Sequence, residues 1–150
     1  MTDAPEPRVS RAAYLLGYAG LLPQVAAVAM IVAGVEHHLG EALAFGYAGL
    51  ILSFLGGIWW GFAMRRRRDQ GALAAAAVVP SLAVLALGVL IVLGGFAAAL
   101  TGLGVAILAT LLVDRRLVAG GEAPPDWMSL RAPLSLGLGG LTILAGLLAA

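Results

Sequence analysis

The chain has 150 residues, of which 61% are hydrophobic and 11% are charged, and its formal net charge is +1. Soluble domains carry about 25% charged residues, so this composition and a mean hydropathy of +1.00 exclude an ordinary water-soluble globule. There is no cysteine, which excludes disulfide bonds, thiolate metal sites and cysteine nucleophiles.

The chain begins with a short polar segment, residues 1–11, that contains two prolines. Prolines this close together disfavour a helix, because each removes a backbone donor and restricts the residue before it, so we expect a disordered tail. The segment is too acidic and too rich in proline for the start of a signal peptide. The apolar run that follows, residues 12–35, is therefore expected to be a retained membrane span. We expect a kink at Pro23 and expect the polar Gln24 to face another helix rather than lipid.

Four further apolar runs follow in chain order. They cover residues 43–64, 72–93, 96–113 and 132–150. Each of the five runs is long enough for an α-helix to cross about 30 Å of hydrocarbon, which takes about 20 residues. None alternates with period two, as the strands of a membrane β-barrel do. The sequence therefore predicts an all-α protein in which residues 12–150 form one domain, an integral membrane bundle of five transmembrane helices.

The pentapeptide GYAGL occurs twice, at residues 17–21 and 46–50, in two spans that run in opposite directions. An inverted repeat of this kind is found in many transporters. Chance repetition in a chain rich in Gly, Ala and Leu is the favoured explanation, and duplication is kept as the alternative.

All the basic residues are arginines, and they fall on one side of the membrane if the five spans alternate in direction. They are Arg8, Arg11, Arg65, Arg66, Arg67, Arg68, Arg115, Arg116 and Arg131. The positive-inside rule then places the N-terminus in the cytoplasm and the C-terminus in the periplasm. Moving the run from Arg65 to Arg68 across the bilayer would cost on the order of 10 kcal/mol, which makes the opposite orientation very unfavourable.

Small residues recur every four positions in the second and fourth spans, so in each span they fall along one stripe of the helix. The stripes are Gly49, Ser53, Gly57 and Gly61 in the second span, and Ala98, Gly102, Ala106 and Thr110 in the fourth. Small side chains let backbones approach closely, which is how helices associate in lipid. The stripes are predicted either to pack helices within the chain or to bind a partner protein.

The arginine run is predicted to lie at the level of the lipid headgroups together with the three tryptophans. These residues are Arg65, Arg66, Arg67, Arg68, Trp59, Trp60 and Trp127. Tryptophan favours the membrane interface, and each arginine near the surface attracts anionic lipid by about 1 kcal/mol. Nucleic-acid binding is not expected, because the basic patch is small, fixed at a membrane and not interleaved with aromatic residues.

No Asp, Glu, Lys, Arg or His lies within the five predicted runs. We therefore expect no catalytic residue, no cofactor and no metal site in the membrane. In the first loop, His38 and Glu41 can meet at i and i+3, but no second cluster completes a four-ligand metal site, and a solvated loop is favoured. Asp114 is unexpected at the end of a helix unless it pairs with Arg131 or with the run Arg65–Arg68.

Five short motifs are spread from the first span to the last. They are LGYAGLLP at 16–23, YAGLILSFLGGIWWG at 47–61, VPSL at 79–82, DRRL at 114–117 and WMSLRAPL at 127–134. In the order and spacing of these motifs the chain resembles the DUF3429 / transmembrane protein 69 family of small integral membrane proteins. The resemblance implies a multi-pass protein of the bacterial inner (cytoplasmic) membrane or of mitochondria, and it implies no particular activity.

Together these features favour a non-enzymatic accessory or assembly subunit that binds a larger respiratory or photosynthetic complex of the inner membrane through its small-residue helix faces. Anionic headgroups on the cytoplasmic side are the expected lipid partners. The alternative is a small transporter or a lipid-handling protein, in which the proline-bearing first and third spans act as bending elements.

Overall fold

A computed structural model describes residues 9–35 and 38–150, and all regular structure in these ranges is helical. The helices are α1 (Arg11–Ala19), α2 (Leu22–Val32), α3 (Leu39–Arg65), α4 (Gln70–Gly94), α5 (Phe96–Ala119) and α6 (Trp127–Leu148). Five segments of these ranges are long and apolar enough to cross a membrane, with α1 and α2 together forming the first. In the described residues this confirms the prediction of helical structure with five segments long and apolar enough to span a membrane. Most of the predicted disordered tail, residues 1–8, lies outside the described residues.

The first span is two helices rather than one kinked helix. Gly20 and Leu21 separate α1 from α2, and Pro23 occupies the first turn of α2, where its missing N–H leaves no bond unmade. The same missing N–H cannot continue the hydrogen bonds of α1 into α2. The carbonyl oxygen of Gly20 is instead bonded by the hydroxyl of Tyr47 in α3. The expected kink at Pro23 is therefore a full break just before it.

Helices α5 and α6 extend beyond the predicted runs at the two ends next to the connection between them. α5 continues through Asp114 to Ala119, and α6 begins at Trp127 and so includes Arg131. Asp114 and Arg131, which the predicted runs leave out, therefore both lie inside helices. The helices can extend through them since the two side chains pair with each other, as described below.

The helices form a closed ring in which α2, α3, α4, α5 and α6 each pack on the next and α6 packs on α2. α3 also packs on α5 and α6 across the ring, the contact between α5 and α6 is the most extensive, and α1 packs on α6 from outside. Three clusters of buried apolar side chains follow one another along the bundle. Their largest fully buried members are Leu117 in one end cluster, Leu52, Leu103 and Ile107 in the middle, and Leu100 in the other end cluster.

Glycines set the closest approaches between helices. A methyl group at Gly56 in α3 would lie 2.4 Å from the carbonyl oxygen of Ala77 in α4. A methyl group at Gly104 in α5 would lie 2.6 Å from the carbonyl oxygen of Gly139 in α6. These contacts are backbone against backbone, which is the usual way in which helices associate in lipid.

The two ends of the bundle differ in charge. We call one end the arginine-rich end, because it holds the arginines within the described ranges: Arg11, Arg65–Arg68, Arg115, Arg116 and Arg131. The α3–α4 and α5–α6 connections lie there. At the opposite end α4 and α5 are joined at Gly95, whose φ of +83° is a conformation that favours glycine.

Candidate functional site

A buried ion pair between α5 and α6 lies near the arginine-rich end. Arg131 Nε donates to Asp114 Oδ2 at 2.8 Å, and the two side chains are 8% and 1% exposed. The second carboxylate oxygen, Oδ1, accepts a hydrogen bond of 2.9 Å from the indole N–H of Trp59 in α3. Of the two pairings that the sequence left open for Asp114, the structure shows the one with Arg131.

Thr110 extends this network along α5. Its hydroxyl accepts a 3.4 Å hydrogen bond from Arg131 Nη2 and donates to the carbonyl oxygen of Ile107 at 2.6 Å. The network thereby connects α3, α5 and α6, and it cancels two charges that would be costly to bury alone. Its chemistry is that of a structural clamp, because both oxygens of Asp114 are already engaged.

A stripe of polar side chains continues from this pair along the inner face of α6. Arg131, Ser135 and Thr142 are all buried there. Thr142 accepts a hydrogen bond of 3.0 Å from the side-chain amide of Gln24 in α2, which is itself fully buried. The prediction that Gln24 faces another helix is confirmed. Ser135 lies between the two networks, and among the described residues its hydroxyl has no hydrogen-bond partner.

A cavity of about 420 Å³ lies between α1, α3 and α6. This is within the usual range for small-molecule sites, about 300–1,000 Å³. Its wall is mainly apolar, and its polar side chains are Tyr47, Trp127, Arg131 and Ser135. The hydroxyl of Tyr47 is engaged by Gly20. The indole N–H of Trp127, like the hydroxyl of Ser135, is buried without a partner in the described part of the chain.

A second cavity, of about 270 Å³, lies between α3, α4 and α5. Its lining is apolar apart from the polar atoms of Trp59 and Thr110. Because both residues belong to the ion-pair network and Arg131 lines the larger cavity, the network separates the two cavities.

The two adjacent tryptophans of α3 occupy different environments. Trp60 is 47% exposed, which suits a headgroup position, whereas Trp59 is 4% exposed and belongs to the ion-pair network. Consecutive residues of a helix point about 100° apart, so one ring faces inward when the other faces out. The prediction of an interfacial position is therefore wrong for Trp59. Trp127 is half-buried and packs edge-on against Phe62, with ring centroids 6.3 Å apart.

The predicted arginine run is mainly exposed. Arg65, Arg67 and Arg68 are exposed, and Arg66 is half-buried against Glu122, with Nε 2.6 Å from Oε2. This hydrogen bond lowers the pKa of Glu122 and raises the pKa of Arg66 from their ordinary values. The pair ties the α3–α4 connection to the α5–α6 connection, a contact that the sequence analysis missed.

The stripes of small residues are only partly used within the chain. A methyl group at Gly49 would lie 2.9 Å from Val84 Cγ1, and one at Gly102 would lie 2.9 Å from Leu87 Cδ2, so both positions pack on α4. Thr110 is buried in the ion-pair network, whereas Ser53 and Ala106 are half-buried and Ala98 is exposed.

Gly57 and Gly61 are exposed, and nothing lies within 4 Å of the position that a Cβ would take at either residue. The reason is geometric. A step of four residues turns about 40° beyond a full circle, so a stripe of three steps rotates about 120° around the helix. The stripe that begins inside the bundle at Gly49 therefore ends on its outer surface.

The described residues contain no group of three or more His, Cys, Asp or Glu placed to hold a metal ion. His38 Nδ1 lies 3.7 Å from Glu41 Oε1, the i and i+3 arrangement expected from the sequence. Glu36 and His37 lie outside the described residues.

Comparison with protein families matches residues 9–148 to the family described as protein of unknown function (DUF3429). The match covers nearly the whole chain and confirms the family resemblance read from the motifs. No curated protein and no solved structure matches the chain. A family with this description supplies no activity, so function has to be argued from the geometry.

Proposed function

The chain belongs to the DUF3429 family, and on that premise we propose that it is a non-enzymatic accessory or assembly subunit of a larger respiratory or photosynthetic complex in the bacterial inner membrane. The observation that supports the proposal is the open space at Gly57 and Gly61 on the outer face of α3. Each glycine inside a helix destabilises it by about 1 kcal/mol relative to alanine. Neither glycine is needed for packing within this chain, whereas both permit close approach by a helix of another protein.

The residues around these glycines suit a helix partner. Leu50 is 71% exposed, Phe54 is 63% exposed and Met64 is 47% exposed, and all lie on the same outer face of α3. Their positions and those of the glycines alternate in steps of three and four, the spacing of a helix–helix contact. We call residues 50, 54, 57, 61 and 64 the outer α3 face.

The proposed orientation has the N-terminus in the cytoplasm and the C-terminus in the periplasm. It is supported by the clustering of the described arginines at one end of the bundle. The exposed guanidinium groups of Arg65, Arg67 and Arg68 are placed to attract anionic headgroups on that side.

The non-enzymatic assignment rests on the state of the buried carboxylate. Asp114 accepts hydrogen bonds from Trp59 and Arg131 through both its oxygens, which leaves it poorly placed to take a proton from a substrate. Its partner Arg131 is held in the same network. The connections at the arginine-rich end, residues 66–69 and 120–126, are too short to form a soluble catalytic domain.

A small transporter or lipid-handling protein is the second candidate. The cavity between α1, α3 and α6 favours the lipid-handling form, because its apolar wall suits a molecule drawn from the bilayer.

Purification from native membranes in a mild detergent tests the first candidate. We expect a stoichiometric large partner to copurify with the wild-type chain and to be lost with Gly57→Leu, which fills the outer α3 face. Gly140→Leu is the matched control, because Gly140 also has open space around it but lies on α6. Recovery of the chain alone with bound lipid, or a complex that survives Gly57→Leu, would contradict the proposed use of this face.

A further inference from the structure

We infer that the cavity between α1, α3 and α6 binds a neutral, mainly hydrocarbon molecule that carries a carbonyl oxygen, such as an acylglycerol or a quinone. The site borders the outer α3 face at Phe54 but does not involve Gly57 or Gly61, and the inference goes beyond the proposed partner binding. It holds whether or not the chain is part of a larger complex.

Two unpaired donors mark the polar part of the site. Ser135 is 2% exposed and lines the cavity, and its hydroxyl has no partner within the described ranges. The buried indole N–H of Trp127, in another residue of the same wall, has none either. An indole N–H can only donate and a hydroxyl can donate as well as accept, so a hydrogen-bond acceptor of the ligand suits each of them.

The charge balance favours a neutral acceptor. Arg131 lines the cavity, but Asp114 lies 2.8 Å from its Nε and cancels its charge. A carboxylate or phosphate entering the cavity would therefore add an uncompensated negative charge to a site of low dielectric. A carbonyl oxygen accepts from either donor without that penalty.

The shape of the site indicates a hydrocarbon body that enters from the bilayer. The volume of about 420 Å³ is lined mainly by apolar side chains of three helices. α1 forms the outer wall, has no buried residue of its own and is separated from α2 by the break at Gly20 and Leu21. Water alone would bond the two donors but would leave the apolar wall wet, which is unfavourable.

Equilibrium binding of three tritiated probes to the full-length chain in detergent tests the inference. The probes are 1-oleoylglycerol, decylubiquinone and oleate. We expect saturable binding of at least one of the two neutral carbonyl compounds and weaker binding of the anionic oleate. Removing one donor by Ser135→Ala or Trp127→Phe is expected to weaken binding of the neutral probe about fivefold to tenfold.

Matched control variants distinguish loss of binding at the cavity from a general effect of the substitution on the protein. Ser81→Ala and Trp60→Phe remove the same groups from exposed positions that do not line the cavity, and both should bind like the wild type. The probe that binds more tightly identifies whether the acceptor is an ester or a quinone carbonyl. Absence of saturable binding, tighter binding of oleate, or normal binding by both Ser135→Ala and Trp127→Phe would overturn the inference.

Discussion

At the scale of single residues, the indole N–H of Trp59 is the group that completes the solvation of a buried carboxylate. Trp59→Phe keeps an aromatic ring but leaves Asp114 Oδ1 without its donor. Because an unsatisfied buried polar group costs about 1–3 kcal/mol, we expect a loss of stability of that size. Thermal or denaturant unfolding in bicelles measures it. Trp60→Phe is the matched control, since Trp60 is 47% exposed, and an equal loss in both variants would contradict the assigned role.

The ion pair should behave as one unit. Removing one partner of a buried pair typically costs about 3–5 kcal/mol, because the other charge is left unpaired. We therefore expect Asp114→Asn and Arg131→Gln each to be strongly destabilising, and the double variant to lose much less than their sum. A double-mutant cycle on unfolding free energies measures the coupling. Additive effects, or losses no larger than that of the exposed control Arg115→Gln, would count against a functioning pair.

The pair of Arg66 and Glu122 predicts a pH dependence. The pKa of Glu122 is lowered by the hydrogen bond from Arg66, so the stabilisation is present above the ordinary pKa of the carboxyl, 4.5, and is lost as pH falls through the depressed value. The side chains of the pair are 28% and 24% exposed and lie at the surface, so solvent screens the pair and its effect is small. The difference in unfolding temperature between the wild type and Glu122→Gln should shrink in acid. A difference that stays the same between neutral and acidic pH would contradict the contribution of the pair.

The sequence predicted the ion-pair network only in part. The sequence marked Asp114 as needing a basic partner, because a carboxylate at a helix C-terminus opposes the dipole. It did not distinguish Arg131 from Arg65–Arg68, since that choice depends on how far α5 and α6 extend. Which of Trp59 and Trp60 faces inward depends on the rotation of α3, and the apolar sequence around them carries little information on that rotation.

At the scale of helices, the contact between α3 and α4 depends on the absence of one methyl group. Gly56→Ala would place a Cβ 2.4 Å from the carbonyl oxygen of Ala77, so one helix must move. Overpacking of this kind typically costs about 1–3 kcal/mol. Gly57→Ala has open space and should be neutral or stabilising by up to about 1 kcal/mol, because alanine favours the helix. Unfolding of the two neighbouring variants in the same bicelles compares them, and similar losses would show that the predicted contact does not limit packing.

The two GYAGL segments show why helix boundaries were only partly predictable. Residues 46–50 lie inside the continuous helix α3, whereas residues 17–21 include the break after α1. The identical segments adopt different backbone conformations because Pro23 follows only the first copy. The hydroxyl of Tyr47, in the second copy, donates a hydrogen bond to the carbonyl oxygen of Gly20 in the first. The existence of each apolar helix followed from local sequence, but this contact joins residues far apart in the chain.

At the scale of the whole molecule, charge and polarity are distributed along the bundle. The arginine-rich end holds the ion-pair network, and its exposed arginines surround the short connections between helices. The polar stripe of α6 runs inward from Arg131 through Ser135 to Thr142, beside the cavity. Length and hydropathy were sufficient to predict five spans. The cavity was not predictable, because it lies between α1, α3 and α6 and depends on how these helices pack.

The distribution of the arginines also predicts the orientation of the whole molecule in the membrane. The native chain has no cysteine, so Gln70→Cys and Ala150→Cys each introduce a single reactive thiol at an exposed position at or beyond a helix end. With the chain in a bacterial inner membrane, Ala150→Cys should react with a membrane-impermeant maleimide in intact spheroplasts, and Gln70→Cys only after lysis. The reason is the cost of moving several arginines across the bilayer, a few kcal/mol each.

A second variant tests whether the arginines cause this orientation. Replacing Arg65, Arg67 and Arg68 by Gln removes exposed charge and keeps Arg66 with its partner Glu122. In the Gln70→Cys background this triple variant should give a mixed population with part of the thiol labelled from outside, because much of the charge asymmetry is gone. Outside labelling of Gln70→Cys with all arginines present would mean that the chain is inserted the other way round. The anionic headgroups proposed to meet the arginine-rich end would then be those of the opposite leaflet.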